Sequence, residues 1–263
     1  MTLKVDGHVV NALDVGAPEA PVLILVHGAG LDQTFWRYIP RALAAGGLRV
    51  IAPDLPAHGR SGGVLLQDIE SMAAWVGRLA QALGAGRYAL AGHSMGSLVA
   101  LQAAADAGAA CRALALIGNA YPMQVAPPLL EAAAQGDPLI HSLTTFYGTS
   151  RTSRLHGAFP AGSSLVNLRL SQQYHERPGV LHNDLLACNR YRNGETAAQA
   201  LRAPVLFVSG DEDCMTPARA TQTLAGLLPD AQRVVLPRCA HQHSFEQPQG
   251  LIDALGGFFG EAP

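Results

Sequence analysis

The chain has 263 residues, of which 49% are hydrophobic and 14% are charged, and its formal net charge is −2. These values are typical of a compact globular protein, and they argue against a disordered chain and against a basic nucleic-acid-binding protein. The N-terminus lacks the apolar core of a signal peptide, and no apolar run reaches the roughly 18 residues of a membrane span. We therefore expect a cytoplasmic protein whose partner is a small molecule, with no nucleic acid and no membrane involved.

Short apolar runs alternate with longer helical patterns, and this alternation predicts an α/β fold with a largely parallel sheet. The helical patterns cover Thr34–Ala45, Leu65–Leu83 and Met95–Ala105. The apolar runs predict strands at Val9–Asp14, Val22–Val26, Arg49–Ala52, Tyr88–Ala91, Ala113–Ile117, Val205–Ser209 and Arg233–Leu236.

The alternation stops between Tyr121 and about Asn193. This stretch contains helical pieces, at Leu129–Ala134 and Leu181–Tyr191, which are separated by prolines and glycines. The alternation of strands and helices resumes at Pro204. We therefore interpret residues 121–193 as a helical cap inserted into a core domain formed by residues 1–120 and 194–263. Aromatic and basic residues of the cap could line a pocket or simply pack; they are His141, Phe146, Tyr147, Tyr174, His175, Arg190 and Tyr191.

The segment Gly92-His93-Ser94-Met95-Gly96 follows a predicted strand and precedes a predicted helix. A sharp strand-to-helix turn would expose the Ser94 hydroxyl, and glycines two residues before and after it would remove side chains that otherwise collide. The pattern predicts a nucleophile elbow, with the positive end of the following helix beneath Ser94.

A serine nucleophile requires a base, and His241 follows the last predicted strand, where a loop returns to the carboxyl edge of the sheet. His243 is the alternative base. The pair His241 and His243 could also suggest a metal site, but the sequence offers no third ligand nearby, so we expect neither metal nor cofactor.

The base in turn requires an acid that orients its imidazole. Asp213 and Asp211 both lie in the loop after the strand Val205–Ser209. We prefer Asp213, because it lies deeper in the loop and a helix is predicted to begin soon after it, near Pro217.

Two backbone N–H groups should stabilise the oxyanion, one directly after the nucleophile and one from an earlier loop. Met95 provides the first. Ala29 provides the second, from the flexible loop His27-Gly28-Ala29-Gly30 after the strand Val22–Val26. The third glycine of a dinucleotide fingerprint is missing from this loop, and the chain has no phosphate-binding Gly-Lys-Ser/Thr motif.

These motifs, taken together and in this order, resemble the α/β-hydrolases that have a helical cap. The likeness also includes the turn Asp54-Leu55-Pro56-Ala57-His58-Gly59-Arg60-Ser61, in which Ala57 replaces a more usual glycine, and it includes Glu246 and Pro248. It implies a mostly parallel eight-stranded sheet with helices on both faces and an inserted cap. It also implies Ser94 as nucleophile, Asp213 as acid, His241 as base, and Ala29 and Met95 as oxyanion donors.

The expected reaction is hydrolysis of a small-molecule carboxylic ester or lactone through an acyl-enzyme. Thioester hydrolysis and acyl transfer would use the same residues. Hydrolases of carbon–carbon bonds in ring-cleavage products often have tryptophan after the catalytic histidine, where this chain has Gln242. A small-molecule receptor without catalysis is the alternative from another functional class.

Overall fold

The described chain begins with a short antiparallel hairpin. The computed structural model covers residues 3–160 and 162–261. Asp6 and Gly7 form the hairpin turn with φ angles of 52° and 79°, a conformation that suits glycine. The hairpin strands are β1 (Lys4–Val5) and β2 (His8–Val9).

A larger sheet forms the centre of the protein. Its strand order is β3-β5-β4-β6-β7-β8-β9, and every neighbouring pair is parallel except β3 with β5. The strands are β3 (Ala12–Val15), β4 (Val22–Val26), β5 (Arg49–Pro53), β6 (Tyr88–His93), β7 (Cys111–Ile117), β8 (Val205–Gly210) and β9 (Gln232–Leu236).

The predicted fold class is confirmed, but the strand count is corrected. Over the described residues this sheet has seven strands, where the family resemblance implied eight. The strand predicted over Val9–Asp14 is split, because Val9 pairs with Lys4 in the hairpin while Ala12 begins β3.

Strand β4 shows why the sheet has helices on both faces. All five of its side chains are buried. Because side chains alternate across a strand, Val22, Ile24 and Val26 join one hydrophobic core while Leu23 and Leu25 join the other.

The first three helices cover these two faces of the sheet. They are α1 (Ile39–Ala45), α2 (Ile69–Ala82) and α3 (Met95–Ala107). The helix predicted over Thr34–Ala45 is interrupted: Gln33–Trp36 forms a short 3-10 helix, and Arg37 then takes a positive φ of 51°. Helix α2 begins later than predicted, since the Asp68 carboxylate caps it by accepting from the Ser71 N–H at 2.7 Å.

Between β7 and β8 the described residues form six helices, which we call the inserted helices. They are α4 (Pro127–Gln135), α5 (Leu139–Tyr147), α6 (Arg151–His156), α7 (Leu165–His175), α8 (Val180–Arg190) and α9 (Gly194–Ala200). The last of them packs against α3 of the core. The division of the chain at 121 and 193 stays a prediction.

The remaining helices follow β8 and β9. They are α10 (Gln222–Leu227), α11 (His243–Glu246) and α12 (Pro248–Glu261), and α12 packs beside α1. Within the part of the chain that the structure describes, no helix combines the length and apolar character needed to cross a membrane.

Candidate active site

Ser94 lies in a strained turn between β6 and α3. Its φ and ψ are 54° and −121°, a conformation that residues with a side chain rarely adopt and that marks functional sites. A Cβ at Gly92 would collide with the Gly96 carbonyl oxygen, and a Cβ at Gly96 would collide with the Val26 carbonyl oxygen. The two glycines therefore permit the turn, for the reason the sequence suggested.

Hydrogen bonds to the Ser94 backbone hold this turn in place. The Ser94 N–H donates to the Ile117 carbonyl at 2.9 Å, at the end of the neighbouring strand. The Ser94 carbonyl accepts from the Ser97 N–H at 2.8 Å and from the Ser97 hydroxyl at 2.6 Å. Asn119 donates to that hydroxyl at 2.8 Å. The strained conformation is thus fixed from both sides of the turn.

His241 and Asp213 are in direct contact. His241 Nδ1 is 2.8 Å from Asp213 Oδ2, and both residues are 4% exposed. An ionised carboxylate only accepts hydrogen bonds, so Nδ1 must hold the proton, and Nε2 is left as the basic nitrogen. This tautomer is the one that a general base requires.

The hydrogen bonds of Asp213 favour its charged form. Its Oδ1 accepts from the N–H groups of Met215 at 2.9 Å and Thr216 at 2.8 Å, and the Thr216 hydroxyl donates to Oδ2 at 2.7 Å. Burial alone would raise the pKa of Asp213. The charge of His241, the hydrogen bond that His241 donates and the hydrogen bond from the Thr216 N–H together lower this pKa well below its usual value. Asp213 is therefore a carboxylate beside His241 at neutral pH.

The two alternatives from the sequence lie elsewhere. Asp211 is exposed, and its carboxylate accepts from the Cys239 N–H at 3.1 Å. His243 is fully buried, with Nδ1 2.9 Å from the His241 carbonyl oxygen, and burial lowers its pKa to about 4. The structure thus brings Asp213, rather than Asp211, to His241. Among the described residues, no group of three or more histidines, cysteines and carboxylates could hold a metal ion.

Ala29 lies beside Ser94, as the predicted oxyanion loop requires. A Cβ at the preceding Gly28 would lie 3.3 Å from Ser94 Cβ and 3.1 Å from His93 Nδ1, so the loop packs closely on the elbow. Met95 is the first residue of α3, where N–H groups lack partners within the helix. The loop of Ala29 and the first residue of α3 are thus both next to Ser94, and their role as oxyanion donors stays a prediction.

Ser94, His241 and Ala29 together line two cavities beneath the inserted helices. The larger has a volume of about 490 Å³ and a mostly apolar wall, formed by residues that include Met123, Val125, Leu129, Leu143, Leu185 and Met215. The smaller has a volume of about 80 Å³, and its wall includes the polar residues His141, Thr144, Gln172, Glu176 and Gln242. Ser94 thus lies between a larger apolar chamber and a smaller one that has several polar side chains in its wall.

Two of the cap residues singled out in the sequence reach these cavities, namely His141 in the smaller and Tyr147 in the larger. Phe146 and Tyr174 are exposed, and Tyr191 is buried against Tyr121. Arg190 is exposed at the end of α8. The side chain of His175 lies outside the described part of the chain.

Sequence reasoning missed two supports of the His241 loop. The Thr216 hydroxyl lies 3.0 Å from His241 Nδ1 as well as contacting Asp213, and its position three residues after an aspartate is a turn signal that could have revealed it. His93 Nε2 donates to the His241 carbonyl at 2.9 Å. Burial lowers the pKa of His93 well below its ordinary value, so this ring is neutral. No sequence signal marks that contact.

Comparison with known proteins agrees with this architecture. The model of a family described as "alpha/beta hydrolase fold" matches residues 21–248. A thermophilic esterase from Thermogutta terrifontis, in a malate-bound structure, superposes with a TM-score of 0.83 at 24% identity, covering 98% of this chain and 96% of that one. At this identity the likeness shows the fold alone.

Two curated relatives also match most of the chain. One is the dihydrolipoyllysine-residue acetyltransferase component of the acetoin cleaving system of Pseudomonas putida, 29% identical over 97% of this chain and 68% of its own length. Another, named "Putative carbamate hydrolase RutD", is from Klebsiella pneumoniae and is 27% identical over 85% of both chains.

Proposed function

The chain belongs to the α/β-hydrolase fold family, and we propose that it is a serine hydrolase that cleaves a small-molecule carboxylic ester or lactone. The observation that supports this most is the meeting of three features at one cavity. Ser94 stands on a strained elbow, His241 beside it holds the tautomer of a base, and Asp213 orients that base. This arrangement supports the role of Ser94 as a nucleophile activated for acyl transfer.

In the proposed reaction, His241 Nε2 takes the proton of the Ser94 hydroxyl as the serine oxygen attacks the substrate carbonyl. The N–H groups of Ala29 and Met95 stabilise the oxyanion of the tetrahedral intermediate. His241 then gives the proton to the leaving oxygen, and the acyl group remains on Ser94. Water, deprotonated by the same histidine, attacks the acyl-enzyme, and the acid product leaves with Ser94 restored.

Asp213 stays a carboxylate throughout this cycle. Its charge stabilises the imidazolium that forms on His241 in each half of the reaction. Thr216 and the N–H groups of the 213–216 turn hold the carboxylate against rotation. The hydrogen bond from His93 to the His241 carbonyl fixes the other end of the loop.

The larger cavity favours a substrate with an extended apolar group. Its volume of about 490 Å³ lies within the range of small-molecule sites, and its wall offers mainly aliphatic and thioether side chains. The smaller chamber suits a compact polar group, since Gln172, Glu176 and Gln242 supply hydrogen-bonding atoms there. We propose an ester or lactone that is apolar on one side of the scissile carbonyl and short on the other.

A panel of p-nitrophenyl esters of increasing acyl length, with lactones, a thioester and a ring-cleavage dienoate, tests this function. We expect ester or lactone turnover, rising with chain length until the apolar cavity is filled. Turnover confined to the dienoate would replace the proposal with carbon–carbon bond hydrolysis. Binding of these compounds without any turnover would support a receptor.

A further inference from the structure

A buried ion pair outside the proposed triad connects the inserted helix α8 to the oxyanion loop. His58 Nε2 is 2.8 Å from Asp184 Oδ2, and the two side chains are 2% and 0% exposed. The same Oδ2 accepts a hydrogen bond from the Gly30 N–H at 2.9 Å. Gly30 directly follows Ala29, so the pair lies one residue from a proposed oxyanion donor.

The hydrogen bonds of His58 define its charge. Nδ1 lies 3.0 Å from the Pro56 carbonyl oxygen, and Nε2 lies beside the Asp184 carboxylate. Both partners only accept, so both ring nitrogens must donate, and His58 is an imidazolium. Burial opposes this charge, but the charge of Asp184 and the hydrogen bond to it outweigh burial and raise the pKa of His58.

The neighbouring histidine is neutral by the same reasoning. His27 Nε2 accepts from the Leu55 N–H at 3.1 Å, while Nδ1 faces the Gly28 carbonyl oxygen at 2.9 Å. Burial, with the charge of His58, lowers the pKa of His27 to about 4. Its ring lies 5.0 Å from that of His58. Asp54, in the same turn, is a further charged group near His58, and Arg177 donates to the carbonyl of the adjacent Gly59 at 2.8 Å.

Helix α8 also packs directly on the loop. A Cβ at Gly30 would lie 2.9 Å from Leu181 Cδ1, and Gly30 has a φ of 64°. Leu185, one turn further along α8, lines both cavities beside Ser94. The loop therefore takes its position from α8 as much as from β4.

We propose that Asp184 and His58 are positioning residues, which hold the Gly28–Gly30 loop so that the Ala29 N–H faces the oxyanion only when α8 is seated on the core. This inference rests on the proposed hydrolase function. The buried pair thereby affects catalysis, because an unseated α8 leaves Ser94, His241 and Asp213 in place but displaces the oxyanion donor. A displacement of about 1 Å is enough to cost up to about a hundredfold in rate.

The variant Asp184→Asn tests this, because it keeps the shape and an acceptor for Gly30 but removes the charge. We expect kcat to fall about tenfold to a hundredfold while KM changes less than about twofold. Affinity for a trifluoromethyl ketone, which forms a tetrahedral adduct, should fall by the same factor as kcat/KM. Thr149→Val is the matched control: it removes another buried hydrogen bond among the inserted helices, which Thr149, just after α5, donates to the Thr145 carbonyl at 2.8 Å. This bond belongs neither to α8 nor to the oxyanion loop, so the variant should leave kcat unchanged.

The pH profile gives a second readout. Because the pKa of His58 is raised, the ion pair is complete below that pKa and is lost as pH rises through it. Wild-type kcat should therefore decline on the alkaline side as His58 deprotonates, and this decline should be absent in Asp184→Asn, where His58 is already neutral.

Two outcomes would overturn the inference. Unchanged kcat in a folded Asp184→Asn protein would leave the pair a purely structural contact. If that variant does not fold, the ¹³C NMR chemical shift of the His58 ring in labelled wild-type protein still tests the inference. A neutral His58 ring at pH 7 would contradict the proposed ion pair with Asp184. Failure of the hydrolase proposal looks different, because wild-type protein would then turn over no ester at all.

Discussion

The carboxyl edge of the sheet and the inserted helices above it are built in different ways. At the edge, Ser94, Asp213 and His241 are held by hydrogen bonds, many of them with backbone groups, and those to the Asp213 carboxylate are 2.7–2.9 Å long. In the inserted helices, the wall of the larger cavity beside Ser94 includes several aliphatic side chains, whose positions depend on packing. In the proposed function, the first region carries out the reaction and the second selects the molecule that undergoes it.

This difference predicts how each region responds to substitution. Backbone-directed hydrogen bonds fix atoms within narrow limits, so single changes at the edge should abolish turnover of every substrate. Apolar walls tolerate changes in volume, so changes there should alter the ranking of substrates and leave the chemistry intact.

The largest effect should come from Asp213→Asn. An amide at this position favours the wrong tautomer of His241, and we expect kcat to fall by about 10⁴ for all substrates alike. Asp211→Asn is the matched control in the same loop and should retain activity, because its partner is the Cys239 N–H. A larger loss of kcat in Asp211→Asn than in Asp213→Asn would contradict the assignment of Asp213 as the acid.

A smaller and selective effect is expected from Leu143→Trp on α5, which would fill part of the apolar cavity. The kcat/KM for long-chain esters should fall about tenfold, while that for an acetate ester should stay within about twofold of wild type. Leu139→Trp, one turn earlier on the same helix, is the control, since Leu139 is 53% exposed. An equal loss of kcat/KM for short and long esters would show that Leu143 does not select between substrates.

The smallest effect concerns stability. Burial lowers the pKa of His243 to about 4, below the ordinary value of 6.5, so between these values the unfolded chain binds a proton that the folded protein does not. The free energy of unfolding should therefore fall as pH decreases from 6.5 to about 4. Urea titrations at pH 7 and pH 5 measure this, and His243→Asn should reduce the difference. A urea midpoint that does not change with pH would contradict the conclusion that His243 is buried as a neutral ring.

The contrast between backbone hydrogen bonds at the sheet edge and side-chain packing in the inserted helices also explains how much of the site the sequence could predict. Backbone requirements leave residue-type signals: glycines at positions 92 and 96 where a side chain would collide, and polar residues directly after strand ends. Ser94, His241 and Ala29 line one cavity, with Met95 next to Ser94 and Asp213 bonded to His241, as those signals suggest, and the catalytic roles of these residues stay proposals.

The rest depends on contacts between segments distant in sequence, which leave no local pattern. His58 and Asp184 are 126 residues apart, and the hydrogen bond from His93 to His241 joins residues 148 apart. Likewise, the aromatic cap residues gave poor guidance, since Phe146 and Tyr174 are exposed while Leu129 and Leu143 line the cavity. The break at Arg37 in a predicted helix shows the same limit, because helix propensity says little about a residue with a φ of 51°.

The central claim is that Ser94 is the nucleophile of this edge. Incubation with a fluorophosphonate, followed by peptide mapping in a mass spectrometer, tests it directly. We expect a single phosphonyl adduct on the peptide that contains Ser94, and its loss in Ser94→Ala. An unmodified wild-type protein, or an adduct that persists in Ser94→Ala, would contradict it.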